Sequence, residues 1–264
     1  MMRVKLKMKI NKYFNKSSGC WRIIFFFYLL CASLAYADDT IVGASGHTVF
    51  PLNTDKIQMV SEKVKIKMES YYAVKDAAIL TRRAFVTCKF VFKNISKHKI
   101  KTKVGFPGDL YRWSDAVDVP DLNKFTVYID GHPVKIQIKK EITSKEPNYG
   151  EDYRNWYTWD ATFPPLKTIV ITNSYWVALS SDQETSWFEY ILVTGANWAG
   201  NIGSASIEVV YPNKQELKMF VKEIKPVGYK IIKNKIYWEF KNFKPKENIK
   251  IIEKNYRGLN DFKG

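Results

Sequence analysis

A chain of 264 residues with a formal net charge of +16 raises nucleic acid or an anionic membrane as partners. The charge is not patterned for nucleic acid: the lysines of "KMFVKEIKPVGYKIIKNKIYWEFKNFKPKENIKIIEK" are interleaved with apolar residues, as on the wet face of strands, and no long run of one sign occurs. The 3 histidines and 3 cysteines form no H-x-x-x-H or C-x-x-C spacing, so no metal and no cofactor is expected.

In chain order, residues 1–37 read as a secretory signal peptide. Arg3, Lys5, Lys7, Lys9, Lys12, Lys16 and Arg22 precede or flank the apolar run "IIFFFYLLCASLA". That run is shorter than the roughly 20 apolar residues of a spanning helix. Ala35-Tyr36-Ala37 then supplies the small-x-small pattern of a cleavage site, with a retained anchor or a lipoprotein site at Cys31 as the alternatives. Cleavage after Ala37 removes Cys20 and Cys31 and lowers the formal charge to +9, of which residues 213–264 carry +8. Cys88 alone remains, so the fold must stand without an internal disulfide. The expected location is exported, periplasmic or extracellular in a bacterium, with no membrane span after signal removal.

Beyond the signal the dominant hydrophobic period is two. Val64, Ile66 and Met68 alternate with Lys65 and Lys67, and Ala84, Val86, Cys88, Phe90 and Phe92 share one face of a second strand. Cys88 on that face reads as a small inert hydrophobe. The loop "GDLYRWSDAVDVPDLNK" holds Asp109, Asp115, Asp118 and Asp121, read as turn and cap formers rather than a glycosidase pair. In "FTVYIDGHPVKIQI", Asp130 and Gly131 suit a type I′ turn that pairs Ile129 with His132 and Val127 with Val134. Pro133, lacking a donor, suits an outer strand. The polar stretch Glu141–Asp152 marks a candidate boundary between an N-terminal half, residues 38–142, and a C-terminal half, residues 150–258.

Strand-like runs continue at Trp156–Phe163, Ile169–Leu179, Trp187–Thr194, Ala205–Tyr211, Tyr229–Ile232, Ile236–Phe240 and Asn248–Ile252. Many short strands with frequent turns predict an all-β, mainly antiparallel β-sandwich in two halves after the N-terminal signal helix. Tyr149, Tyr153, Trp156, Tyr157, Trp159 and Phe163 crowd one segment. Adjacent Trp156 and Tyr157 must face opposite ways in a strand, so at least one is expected outside the core. Such aromatics beside polar loops either fill a core or stack on a ligand.

In "LVTGANWAGNIGSAS", Gly195 and Gly200 have the spacing of a phosphate loop. Asn201 and Ile202 stand where Lys and Ser or Thr would be needed, and a strand pattern follows instead of a helix, which removes the nucleotide reading. Gly195, Gly200 and Gly203 then shape a connection between strands, with Trp198 free to fold over the sheet end.

"EYILVTGANWAGNIGSASIEVVY" resembles the T-G-x-x-W-x-G-x-I turn of a bacterial family of exported proteins, domain of unknown function 4424. "IQMVSEKVKI", "AFVTCKFVFKNIS", "VGFP" and "NFKPKENIKII" are similar to its opening and closing stretches, and the region after "VGFP" is short for it. The resemblance implies an exported protein and supplies no activity, cofactor or catalytic residue. With it, the expectation is a non-enzymatic binding or structural module of the cell envelope. Its expected ligand surface is Tyr153, Trp156 and Trp159 with Asn197 and Trp198, and its partner an unidentified envelope protein or polysaccharide. The alternatives are a secreted hydrolase using carboxylates among Asp109–Asp121 or Glu151–Asp152, and an envelope assembly subunit using strand edges.

Overall fold

In the computed structural model, residues 40–45, 48–52, 55–72, 80–111, 122–146, 150–181 and 184–255 are described. The first strands are β1 (Thr40–Ser45), β2 (Thr48–Leu52), β3 (Ile57–Tyr72), β4 (Leu80–Asn94), β5 (Ile100–Tyr111) and β6 (Asn123–Ile129). There follow β7 (His132–Pro133), β8 (Gln137–Glu146), β9 (Gly150–Phe163), β10 (Thr168–Ala178), β11 (Ser180–Ser181) and β12 (Thr185–Tyr190). The last described elements are β13 (Ile202–Val210), helix α1 (Lys214–Phe220), β14 (Val221–Lys225), β15 (Lys230–Ile232), β16 (Lys235–Phe243) and β17 (Ile249–Lys254).

Three sheets result: an eight-stranded one ordered β15-β16-β13-β3-β4-β10-β6-β7, a five-stranded one ordered β2-β1-β5-β9-β8, and a four-stranded one ordered β11-β12-β17-β14. Among the described strands every pairing is antiparallel except β3 with β13. Period-two alternation explains the layering. Val64, Ile66, Cys88, Phe90 and Phe92 are buried on one face of the large sheet, while Lys65, Thr87 and Lys89 on the same strands are exposed.

The two smaller sheets cover that apolar face. Phe92 meets Phe163 of β9 at 6.2 Å, and Phe106 of β5 meets Tyr175 of β10 at 5.5 Å. Tyr190 of β12 reaches Glu62 of β3 from the four-stranded sheet. Each large core side chain buried this way contributes about 1.5–3 kcal/mol. Cys88 lies fully inside this core and forms no disulfide among the described residues.

The all-β sandwich is the expected architecture, but its halves are not separable. The polar stretch Glu141–Asp152 covers the end of β8 and the start of β9, which pair with each other inside one sheet, and β10 is inserted between β4 and β6. Ala35–Gly264 is one compact unit. Polarity there marked paired strand ends within one sheet rather than a linker between domains.

The Asp130–Gly131 hairpin is as read from sequence. Their φ angles are 48° and 82°, Ile129 pairs with His132, and Val134 N donates to Val127 O at 3.1 Å. β7 with Pro133 is the outermost strand. Helix α1 was not foreseen, because its lysines looked like an alternating strand face. Asn213 caps it, its Oδ1 accepting from Glu216 N at 2.8 Å, and Leu217 and Phe220 turn inward three residues apart.

Candidate functional site

The glycine-rich connection is built in three steps. After β12 the chain enters a 3-10 turn, Val193–Asn197, whose entry is held by Asn248: its Oδ1 accepts from Leu192 N and Val193 N at 3.1 and 3.3 Å. The strand expected to reach Thr194 therefore stops at Tyr190. Ala199 N then donates to Ile57 O at 2.9 Å, tying the turn to the start of β3. Finally Gly200 turns the chain at φ +69°, a conformation that suits glycine, and β13 begins.

Gly203 has a different reason. A Cβ there would lie 2.5 Å from Val60 O. Val60 is the extra residue of a bulge in the pairing of β3 with β4, between Met59 and Ser61. Gly195 is buried inside the 3-10 turn, and its N–H donates to Leu192 O at 3.1 Å.

The turn forms one wall of an open depression of ≈ 470 Å³. Asn197 and Gly200 supply that wall above Trp198, and Asp55, Gln58, Ile95 and Lys244 supply the rest. The volume falls in the range of small-molecule sites, about 300–1,000 Å³. Amide, ammonium and carboxylate groups stand around an exposed apolar Ile95, a set that can hydrogen-bond and orient a small polar molecule. Trp198 does not offer its ring: it is 3 % exposed and packs on Phe92 with centroids 4.4 Å apart. It is the floor of the depression rather than a stacking platform.

Of the sequence-derived surface, Asn197 and Trp198 line this depression, while Tyr153, Trp156 and Trp159 lie on β9 and do not. Trp156 and Trp159 are each 1 % exposed. Trp156 Nε1 donates to Glu141 Oε2 at 2.6 Å, and Trp159 packs near Phe125 in the core. Trp156 and Tyr157 face opposite ways and are both buried: Tyr157 joins the main core cluster, whereas Trp156 is buried outside it. Lys140 Nζ sits 4.0 Å from the centre of the half-buried Tyr153 ring.

Ala35, Ala37, Tyr149, Asp115, Asp118 and Asp121 lie outside the described residues, and Asp109, Glu151 and Asp152 are described only in backbone. Among the described residues no group of His, Cys, Asp and Glu is placed to hold a metal ion, and no helix is long and apolar enough to cross a membrane.

The sequence reading passed over a set of buried ionisable groups between the layers. Glu62 accepts from Tyr190 Oη at 2.7 Å, and burial pushes its carboxyl up to about 7. Arg82 Nε approaches Glu253 Oε2 at 2.6 Å as an ion pair outside hydrogen-bond alignment, and Tyr211 Oη donates to Glu253 Oε1 at 2.6 Å. Burial raises both Glu253 and Tyr211, the latter further through the neighbouring carboxylate. Arg82 also reaches Ser70 Oγ and the α1 residue Glu216, and lies 4.1 Å over the Phe220 ring. A signal for these groups existed. Glu62 is in phase with Val64, Ile66 and Met68, Arg82 with Ala84, and Glu253 with Ile249 and Ile251.

The family model for a domain of unknown function, DUF4424, matches residues 37–153 and 182–252. No curated protein matches the chain. Among solved structures, a "putative nutrient binding protein" from Legionella pneumophila is similar in fold: TM-score 0.59, 23 % sequence identity, covering 82 % of this chain and 72 % of that one.

Proposed function

The chain belongs to the domain of unknown function 4424 family, and from that premise we propose that it is an exported, non-enzymatic binding module of the bacterial cell envelope. The ligand is a small polar molecule held in the depression beside the family's turn. The observation that carries this reading is the ≈ 470 Å³ depression itself, where Asp55, Gln58, Asn197 and Lys244 surround Ile95 over a buried Trp198 floor. Among these lining residues there is no Ser, Cys or His to act as nucleophile or imidazole base, which favours binding over turnover. The nutrient-binding name of the similar Legionella structure points the same way. Export rests on the N-terminal basic, apolar and small-x-small segments.

A thermal-shift screen of the protein against amino acids, sugars and small organic acids tests the reading, since a ligand bound only to the folded state raises the melting temperature. A stabilising compound whose effect is lost in both Asn197→Ala and Lys244→Ala, with the unliganded melting temperature unchanged, supports it. A stabilising compound indifferent to both substitutions places the site elsewhere, and steady turnover of a bound compound refutes the non-enzymatic part. Fractionation of the native host tests export.

A further inference from the structure

β14 and β15 are consecutive in the chain, and each is the outermost strand of its own sheet. Their connection and β15 carry the densest exposed apolar set of the described residues. Val227 is 86 % exposed, Tyr229 36 %, Ile231 50 % and Ile232 55 %. Ile231 pairs with the buried Ile236 and Ile232 with Lys235, so the two isoleucines point to opposite faces of the sheet edge. Apolar surface therefore wraps around the rim instead of lying on one side. Gly228, at φ +91°, holds the turn beneath Val227.

The charge beside this rim is mainly positive. Lys222, Lys225, Lys230 and Lys233 flank it along the chain, while the acids Glu223, paired with Lys225 at 2.8 Å, and Glu247 both act on Lys225. Lys230 and Lys233 make no ion pair among the described residues. Lysines on an edge strand commonly serve only to block strand addition. That role explains the lysines and a strand of 3 residues, but not the aliphatic side chains exposed around them.

Exposed aliphatics flanked by Lys230 and Lys233 match the two attractions of an interfacial membrane site, burial at the acyl boundary and pairing with anionic headgroups. A second copy would bring the same lysines to the contact, and a strand-adding peptide would find only a short edge. We infer that the β14–β15 edge docks on an anionic lipid surface, with Val227, Ile231 and Ile232 entering the headgroup boundary and Lys230 and Lys233 facing the phosphates.

Hydrogen–deuterium exchange of the full chain, with vesicles of phosphatidylglycerol and phosphatidylethanolamine or of phosphatidylcholine alone, tests this locally. The expected result is exchange slowed several-fold over residues 226–234 with the anionic vesicles and unchanged with the neutral ones. The Val227→Ser/Ile231→Ser/Ile232→Ser and Lys230→Glu/Lys233→Glu variants, with unchanged melting temperature, should each lose the protection. Vesicle binding that leaves residues 226–234 unprotected, or protection that survives either variant, overturns the proposal. Protection that appears without vesicles as protein concentration rises assigns the edge to a second copy and overturns it equally.

Discussion

Tyr190 Oη donates to Glu62 Oε1 at 2.7 Å across the two layers of the sandwich, so this bond, together with the Arg82–Glu253 pair, ties the four-stranded sheet to the eight-stranded sheet. Its acceptor is 2 % exposed, and Glu62 Oε2 has no hydrogen-bond partner among the described residues. A carboxyl so placed is tolerable neutral and costly charged.

The joint therefore carries a pH dependence. Burial raises the Glu62 pKa from 4.5 to about 7 in the folded state. A raised acid stabilises the fold below its unfolded pKa and loses that contribution as pH rises through the folded one. Stability attributable to Glu62 should fall between about pH 4.5 and pH 7, by at most about 3 kcal/mol. Glu62→Gln keeps an acceptor for Tyr190 and removes the charge. Urea unfolding at pH 5 and pH 8 should show the variant more stable than the parent at pH 8 and similar at pH 5. Equal pH slopes for the two proteins would contradict this account.

Arg82 and Glu253 are a buried pair in which each partner tolerates the other's burial. Arg82→Met strands the Glu253 carboxylate, 0 % exposed, and should cost about 3–5 kcal/mol near pH 7. Adding Glu253→Gln removes the stranded charge and leaves Tyr211 an acceptor, so the double variant should recover most of the loss. Urea midpoints of the parent, the two single variants and the double variant complete the cycle. A double variant no better than Arg82→Met would show that the pair's geometry, rather than its charge balance, matters.

Two glycines of the family's turn should respond differently to alanine. Gly203→Ala drives a Cβ to within 2.5 Å of a backbone oxygen, Val60 O, which no rotamer change relieves. Its expected cost is about 2–3 kcal/mol, as for overpacking elsewhere. Gly200→Ala meets only the Gln58 Nε2 at 3.9 Å and pays for positive φ alone, about 1 kcal/mol. Thermal melts of both variants rank them, and a milder effect at Gly203 than at Gly200 would count against the bulge contact.

Legibility of this fold followed the redundancy of the signals. The Asp130–Gly131 hairpin was readable because turn chemistry and alternation independently fix the same register. The C-terminal strands β15 to β17 lie where the sequence reading put them, to within a few residues. Helix α1 escaped because seven residues give too little period to separate 3.6 from 2. The pairing of β10 with β4 and β6 escaped because register between distant strands is a tertiary choice without a local code. At the candidate site, Asn197 and Trp198 were legible from the glycines around them. Asp55, Ile95 and Lys244 were not, being brought to the turn only by the packing of β3, β4 and the stretch after β16. Trp156 and Trp159 are buried, because aromatic density marks a core and a binding surface alike, while Tyr153 is half-buried.

Trp198 separates a floor from a platform. Its ring is buried on Phe92, and Phe92 in turn meets Phe163, so removing the indole opens a void in the shared core. Trp198→Ala should cost about 3–5 kcal/mol, and Trp198→Phe distinctly less, because a ring still reaches Phe92. Asn197→Ala, half-buried on the depression's wall, should change stability by under about 1 kcal/mol. The floor role predicts that a compound found by thermal shift still binds Trp198→Phe with affinity within a few-fold of the parent, while Asn197→Ala binds it at least tenfold more weakly. A platform role predicts the reverse order, since stacking would be lost with the indole's area and an amide on the rim would matter little. Calorimetric titration of the two variants, at a temperature where both remain folded, decides between them.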